Sequence, residues 1–139
     1  MAIGTRTRDL HLRDEAREAL DRAFAARFVW TLRSPALLLT SNMRVVLLCA
    51  TERQSRFTFH FSQAHADFLQ AGPTERGTAG AFVALACGSG DSVFVLPYRD
   101  WRQWTDGRLG LWSLRRLGDR HVLEGPPRIE LARFRVATA

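Results

Sequence analysis

The stretch Arg44 to Thr51 reads Arg-Val-Val-Leu-Leu-Cys-Ala-Thr. At the two-residue period of a strand, Val45, Leu47 and Cys49 share one face, while Val46, Leu48 and Ala50 share the other. Both faces are apolar. Such a run belongs at the centre of a sheet, since an edge or half-solvated strand alternates apolar with polar residues. The contrast is the stretch Arg56 to Phe61, which does alternate. Phe57, Phe59 and Phe61 face one way, and Arg56, Thr58 and His60 the other. One chain therefore holds a strand to be buried on both faces and a strand to be buried on one.

Other elements fall around these two. Asp14, Glu15 and Glu18 crowd a first helical turn. Ala16, Leu20, Ala23, Phe24 and Phe28 then recur at helical spacing, which predicts an amphipathic helix over 14–32 that ends at Ser34-Pro35. Residues 1–12 read as an irregular lead-in. Ala36 to Thr40 reads as a short strand and Ser41-Asn42 as a turn. Glu52 to Ser55 is expected to be a hairpin loop. Ser62 is a good N-cap for a short helix over 63–71, with Gly72-Pro73 as its stop and a loop to Gly80. Ala81 to Cys87 and Ser92 to Leu96 read as strands joined by Gly88-Ser89-Gly90-Asp91. Pro97 opens a short helix carrying Tyr98, Trp101 and Trp104. Leu109 to Leu114 and Arg120 to Leu123 form another strand pair, Gly125-Pro126-Pro127 breaks it, and Ile129 to Val136 is a last strand or coil edge. No repeat or domain boundary is visible. The fold class expected over residues 1–139 is a single α+β domain. It has a central mixed or antiparallel sheet, an N-terminal helix, and one or two short helices packed on it.

Composition excludes several chemistries. All twenty basic residues are arginine, and the chain contains no lysine. A Schiff-base lysine, a lysine general base and a Walker A phosphate loop are therefore excluded. A GC-rich genome is a sufficient origin for this usage. No apolar run approaches the roughly 20 residues of a membrane span, so no membrane is expected as partner. The N-terminal residues Met1 to Arg6 lack the apolar core of a secretory signal. Cys49 and Cys87 lie in apolar stretches and read as buried, reduced thiols in a cytoplasmic protein. His11, His60, His65 and His121 are scattered, without cysteines at ligand spacing, so neither a metal site nor a cofactor is expected. No serine sits in a nucleophile elbow.

The element order of helix, three strands, helix and strand over residues 14–96 resembles the core of the restriction-endonuclease-like, or PD-(D/E)xK, nucleases. So does the apolar pair Phe82 to Cys87 and Val93 to Pro97, which ends at a proline. The resemblance implies magnesium held by carboxylates, with a lysine, on the second and third strands. Here the third strand, Arg56-Phe57-Thr58-Phe59-His60-Phe61, has neither acid nor lysine, and Glu52 lies in the loop before it. The resemblance therefore implies a nucleic-acid-binding relative without catalytic residues. An active nuclease would need Glu52, Asp67 and His60 to converge.

The formal net charge is +6. Residues 98–139 hold nine arginines against five acids, so most of the excess lies there. Within them, Tyr98-Arg99-Asp100-Trp101-Arg102-Gln103-Trp104 alternates aromatic and arginine side chains. Arginine grips phosphates and aromatic faces stack on bases. At helical spacing the same tryptophans also suit a core. The expected function is binding of nucleic acid, DNA before RNA, without catalysis. The candidate residues are Arg56, His60, Arg99, Trp101, Arg102, Trp104, Arg115 and Arg116. Arginine and tryptophan also dominate protein interfaces. A regulatory subunit docking on a protein partner is thus a second reading, and a divergent metal-dependent nuclease a third. An exposed strand edge would allow a homodimer.

Overall fold

The computed structural model describes residues 2–31, 37–40, 43–71, 80–89, 91–124 and 128–136, with side chains described from His11 onward. Among these residues the strands form two sheets. The first contains β1 (Val29–Trp30), β2 (Leu37–Leu39), β3 (Arg44–Ala50), β5 (Ala81–Cys87) and β6 (Val93–Pro97), in the order β1-β2-β3-β5-β6. β3 and β5 run parallel, Val45 beside Phe82 and Cys49 beside Ala86, and the remaining pairs are antiparallel. The two apolar faces of β3 then divide as a strand period requires. Val45 and Leu47, with Ala84, Ala86 and Val93, pack against helix α1 (Ala2–Phe24) through its Leu12, Ala16, Ala19 and Leu20. Val46 and Leu48, with Val83, Leu85 and Phe94, face the opposite way into the larger core.

The second sheet covers that opposite face. It is antiparallel, in the order β4 (Arg56–Phe61), β7 (Gly110–Leu117), β8 (Arg120–Glu124) and β9 (Ile129–Glu130). Phe57, Phe59 and Phe61 point inward with Trp112, Leu114 and Leu123. Helices α2 (Gln63–Gln70) and α3 (Tyr98–Thr105) join the same core through Ala66 and Leu69, and through Tyr98 and Trp101. α2 begins with a reciprocal cap. The Ser62 hydroxyl accepts from the His65 N–H at 3.3 Å, and His65 Nδ1 accepts from the Ser62 N–H at 3.0 Å. Here histidine fills the role that Glu or Gln has in a capping box. The C-terminal segment lies along the outer edge of β6, where Val136 N–H donates to the Val93 carbonyl at 2.8 Å. That blunts an edge otherwise open to pairing with another chain.

The protein is therefore α+β, as the element order led us to expect, with its strands divided between two layers. Three local expectations need correction. The first helix covers Ala2–Phe24, so residues 2–12 are helical rather than an irregular lead-in, and the helix stops well before residue 32. It stops because Ala25 takes a left-handed conformation (φ 48°) and Asp21 Oδ1 accepts from the Phe28 N–H at 2.8 Å, turning the chain into β1. Second, residues 52–55 do not pair β3 with β4. Both edges of β3 are already occupied by β2 and β5. Gln54 and Ser55 both have positive φ, as in a primed two-residue turn, and Arg53 and Arg56 exchange backbone hydrogen bonds across it. The chain leaves this turn into the other sheet. Third, residues 129–136 form a two-residue strand and a 3-10 turn, Ala132–Phe134. The expected breaks at 34–35, 41–42, 72–79 and 125–127 lie outside the described residues. No helix among the described residues is long and apolar enough to cross a membrane.

The layering makes a stability test. Leu85 is fully buried where the two sheets meet, whereas Leu111 on β7 is 73% exposed. Leu85→Ala is expected to cost about 2–5 kcal/mol. Leu111→Ala should stay within about 0.5 kcal/mol of the parent. Urea unfolding of both variants checks the assignment of the two faces, and a large loss at Leu111 would contradict it.

Candidate nucleic-acid interface

The second sheet is packed on one face and open on the other. Its register places Arg56 opposite Arg115, Thr58 opposite Ser113 and His60 opposite Leu111. These six side chains share the outer face, because Phe57, Phe59, Trp112 and Leu114 occupy the inner one. Leu109, 44% exposed, precedes β7 on the same alternation. It also lines a cavity with Arg102, Gly107 and Arg108, which ties the end of the sheet to α3. Arg99 and Arg102 project from the exposed side of that helix. The result is a strip that starts at Arg99 and Arg102, passes Leu109, Leu111 and His60, and ends at Arg115 and Arg56. From residue 109 to 115 it covers roughly 20 Å at the rise of a strand.

The eight candidate residues separate into three groups. Arg99, Arg102 and Arg115 are exposed and lack an acidic partner among the described residues. His60 is exposed between them. Arg56 is on the strip but is paired, with Nε at 2.9 Å from Glu124 Oε1 and a second contact of 3.4 Å to Oε2. Arg116 is not on it. It follows Trp112 and Leu114 on the inner side of β7, bonds Glu52 Oε1 at 2.7 Å and the Gly118 carbonyl at 2.9 Å, and so braces the sheet end. Trp101 must also be removed from the contact set. It is 1% exposed, with its ring 5.5 Å from Phe61 and 5.8 Å from Trp112. Trp104 is half-buried with its ring edge-on to Phe134 at 5.4 Å, against the C-terminal segment. The spacing of three that brings Tyr98 and Trp101 inward is the helical repeat itself.

Leu109, Leu111 and Arg108 were not singled out from the sequence. Leu111, Trp112 and Leu114 are all apolar, so alternation along β7 did not say which face was wet. Arg108 is anchored by its Nε donating to the Thr105 carbonyl at 3.0 Å, with its guanidinium 5.3 Å from the centre of the Trp112 ring. An apolar cleft of about 660 Å³ lies elsewhere, on the α1 side of the first sheet, among Phe24, Phe82 and Val95.

The acids of the nuclease reading do not come together. Glu52 precedes β4 and holds Arg116, whereas Asp67 is on α2 beyond the far end of β4 and accepts from Gln63 at 2.8 Å. A six-residue strand separates them by roughly 20 Å. No group of three metal-binding side chains occurs among the described residues. Cys49 and Cys87 are free thiols, and burial pushes the Cys87 thiol up, which keeps it protonated and unreactive. No protein-family model matches the chain, and no match is found among curated proteins or solved structures.

Two histidines are held neutral. Burial lowers His121, and the Arg135 and Arg116 guanidiniums lower it further, against Glu52 and Asp119, which act the other way. Its ring lies between Phe57 and Phe94, and its buried Nδ1 has no partner among the described residues. Burial, then His60, lowers His65, whose Nδ1 is committed to the α2 cap. The unfolded chain binds a proton on each at about pH 6.5, before the folded protein does. Stability is thus full at neutral pH and lost as pH falls below about 6.5, by at most roughly 1.4 kcal/mol per pH unit for each histidine. Urea midpoints between about pH 7 and pH 5 should show this decline. His121→Phe should flatten it, and an unchanged slope in that variant would contradict the assignment.

Proposed function

We propose that the protein binds nucleic acid through its phosphate backbone along the outer face of the second sheet and the adjoining side of α3. The observation that carries this reading is the gathering of Arg99, Arg102 and Arg115, without acidic partners among the described residues, on one strip with Arg56. The strip carries no exposed aromatic ring other than His60, so it offers little surface on which bases stack. Binding through arginine forks to phosphate is then indifferent to sequence. The chain acts in the cytoplasm as a binding module. The likeness to restriction-endonuclease-like proteins enters only as ancestry, since β4 carries neither acid nor lysine.

With about four phosphates neutralised, log K should fall with log salt at a slope near −3.5 for duplex and near −3 for single strands. Arg102→Ala and Arg115→Ala should each make the slope shallower by about 1, equally for unrelated sequences. Fluorescence anisotropy of labelled oligonucleotides across a salt series measures both. Absence of binding, or an affinity indifferent to salt, would overturn the reading. Exposed Leu109 and Leu111 favour the alternative of a regulatory subunit docking on a protein partner. In that case Leu111→Ser, and not salt, would abolish complex formation.

A further inference from the structure

A cavity of about 230 Å³ lies between α2, α3 and the turn that follows α3. Phe61, Ala66 and Trp101 form apolar wall, but most of the remaining lining is polar: Gln63, Gln70, Tyr98, Arg102, Thr105 and Arg108. Most of these polar groups are engaged within the protein, Arg108 through its Nε on the Thr105 carbonyl. Gln63 Nε2 donates to Asp67 at 2.8 Å, and Thr105 Oγ1 donates to the Trp101 carbonyl at 2.8 Å. Tyr98 Oη accepts from Gln70 Nε2 at 3.0 Å and keeps its own hydrogen to donate. The Trp101 indole N–H is buried and has no acceptor among the described residues. Arg102, at the exposed side, has no acidic partner among them either.

Tyr98 and Arg102 thus keep donors to spare, and no carboxylate lines the cavity. From this geometry we propose that the cavity is a binding site for a small polyoxygen anion, of the phosphate or short dicarboxylate class. The Arg102 guanidinium meets its charge and the Tyr98 O–H donates to its oxygens, with the Trp101 ring as part of the wall beneath. At about 30 Å³ per water-sized unit, the space suits a ligand of a few such units rather than a whole nucleotide. The site shares Arg102 with the strip. Tyr98 is buried in the core and takes no part in the strip, so Tyr98→Phe tests the cavity alone and Arg115→Ala the strip alone.

The test follows the Trp101 indole N–H resonance and binding heat during titration with inorganic phosphate, with succinate and with uncharged succinamide. A 5′-phosphorylated dinucleotide, alongside its dephosphorylated form, separates free anion from the end of a nucleic acid. The expected result is saturable, anion-specific movement of the Trp101 resonance. Tyr98→Phe retains the ring and should weaken binding about ten-fold, the factor that corresponds to about 1.4 kcal/mol. Arg102→Gln should weaken it at least as much. If neither phosphate nor succinate moves the resonance, or succinamide moves it equally, the proposal is overturned. Full affinity in both Tyr98→Phe and Arg102→Gln would also overturn it.

Discussion

The parallel pairing of β3 with β5 is the contact on which the rest of the molecule depends. A parallel pair needs a crossover between its strands, and both of its faces must be covered. Here the crossover runs through β4 and α2, so the chain must leave the first sheet at Ala50 and return at Ala81. Because β2 and β5 take both edges of β3, β4 has to find another partner, and it finds β7. The second sheet thus supplies cover for the face of β3 that α1 does not reach. Among the described residues no further layer covers the outer face of β4 and β7. The site arises there because the layering runs out.

That logic explains which parts of the fold could be read in advance. The two apolar faces of residues 45–50 and the alternation of 56–61 are statements about layers, and both elements occupy the layers those patterns imply. Pairing was less legible. The turn at Glu52 to Ser55 has the local chemistry of a hairpin, and Gln54 and Ser55 do adopt its positive φ values. Whether the flanking strands then pair is decided by β5, some thirty residues away, which no local window contains. The end of α1 is similar. Phe28 keeps the helical spacing of the apolar residues before it, yet it reaches the core from an extended segment after Ala25 has turned the chain.

The candidate residues were legible to the extent that burial decides them. Arg99 and Arg102 alternate with apolar residues on an amphipathic helix, and that phase alone puts them in water. The same phase buries Tyr98 and Trp101, so the aromatic and arginine residues that looked like one recognition segment belong to opposite sides of α3. Arg115 and Arg116 are adjacent, and a strand sends neighbours to opposite faces. One therefore lies on the open strip while the other is paired with Glu52 at the sheet end. Nothing in the residues from Leu109 to Leu117 themselves fixes which is which, because apolar side chains occur at both parities. The phase comes from β4, through the pairing of Phe57 with Leu114.

The pairing of Arg56 with Glu124 bears directly on what the strip can bind. An exposed ion pair of this kind contributes roughly 0–1 kcal/mol, because both ions are well solvated when apart. Arg56 is 52% exposed, so exchanging Glu124 for a phosphate costs little and leaves Glu124 to water. Direction comes from the guanidinium itself, whose planar fork presents its donors in a fixed geometry. A lysine would keep its charge in water on a flexible stem and impose no such geometry. The absence of lysine from this chain therefore makes the strip a set of oriented forks rather than a diffuse positive field. Each fork acts where its own strand or helix points it, and the register of β4 on β7 sets two of them, Arg56 and Arg115, directly opposite each other.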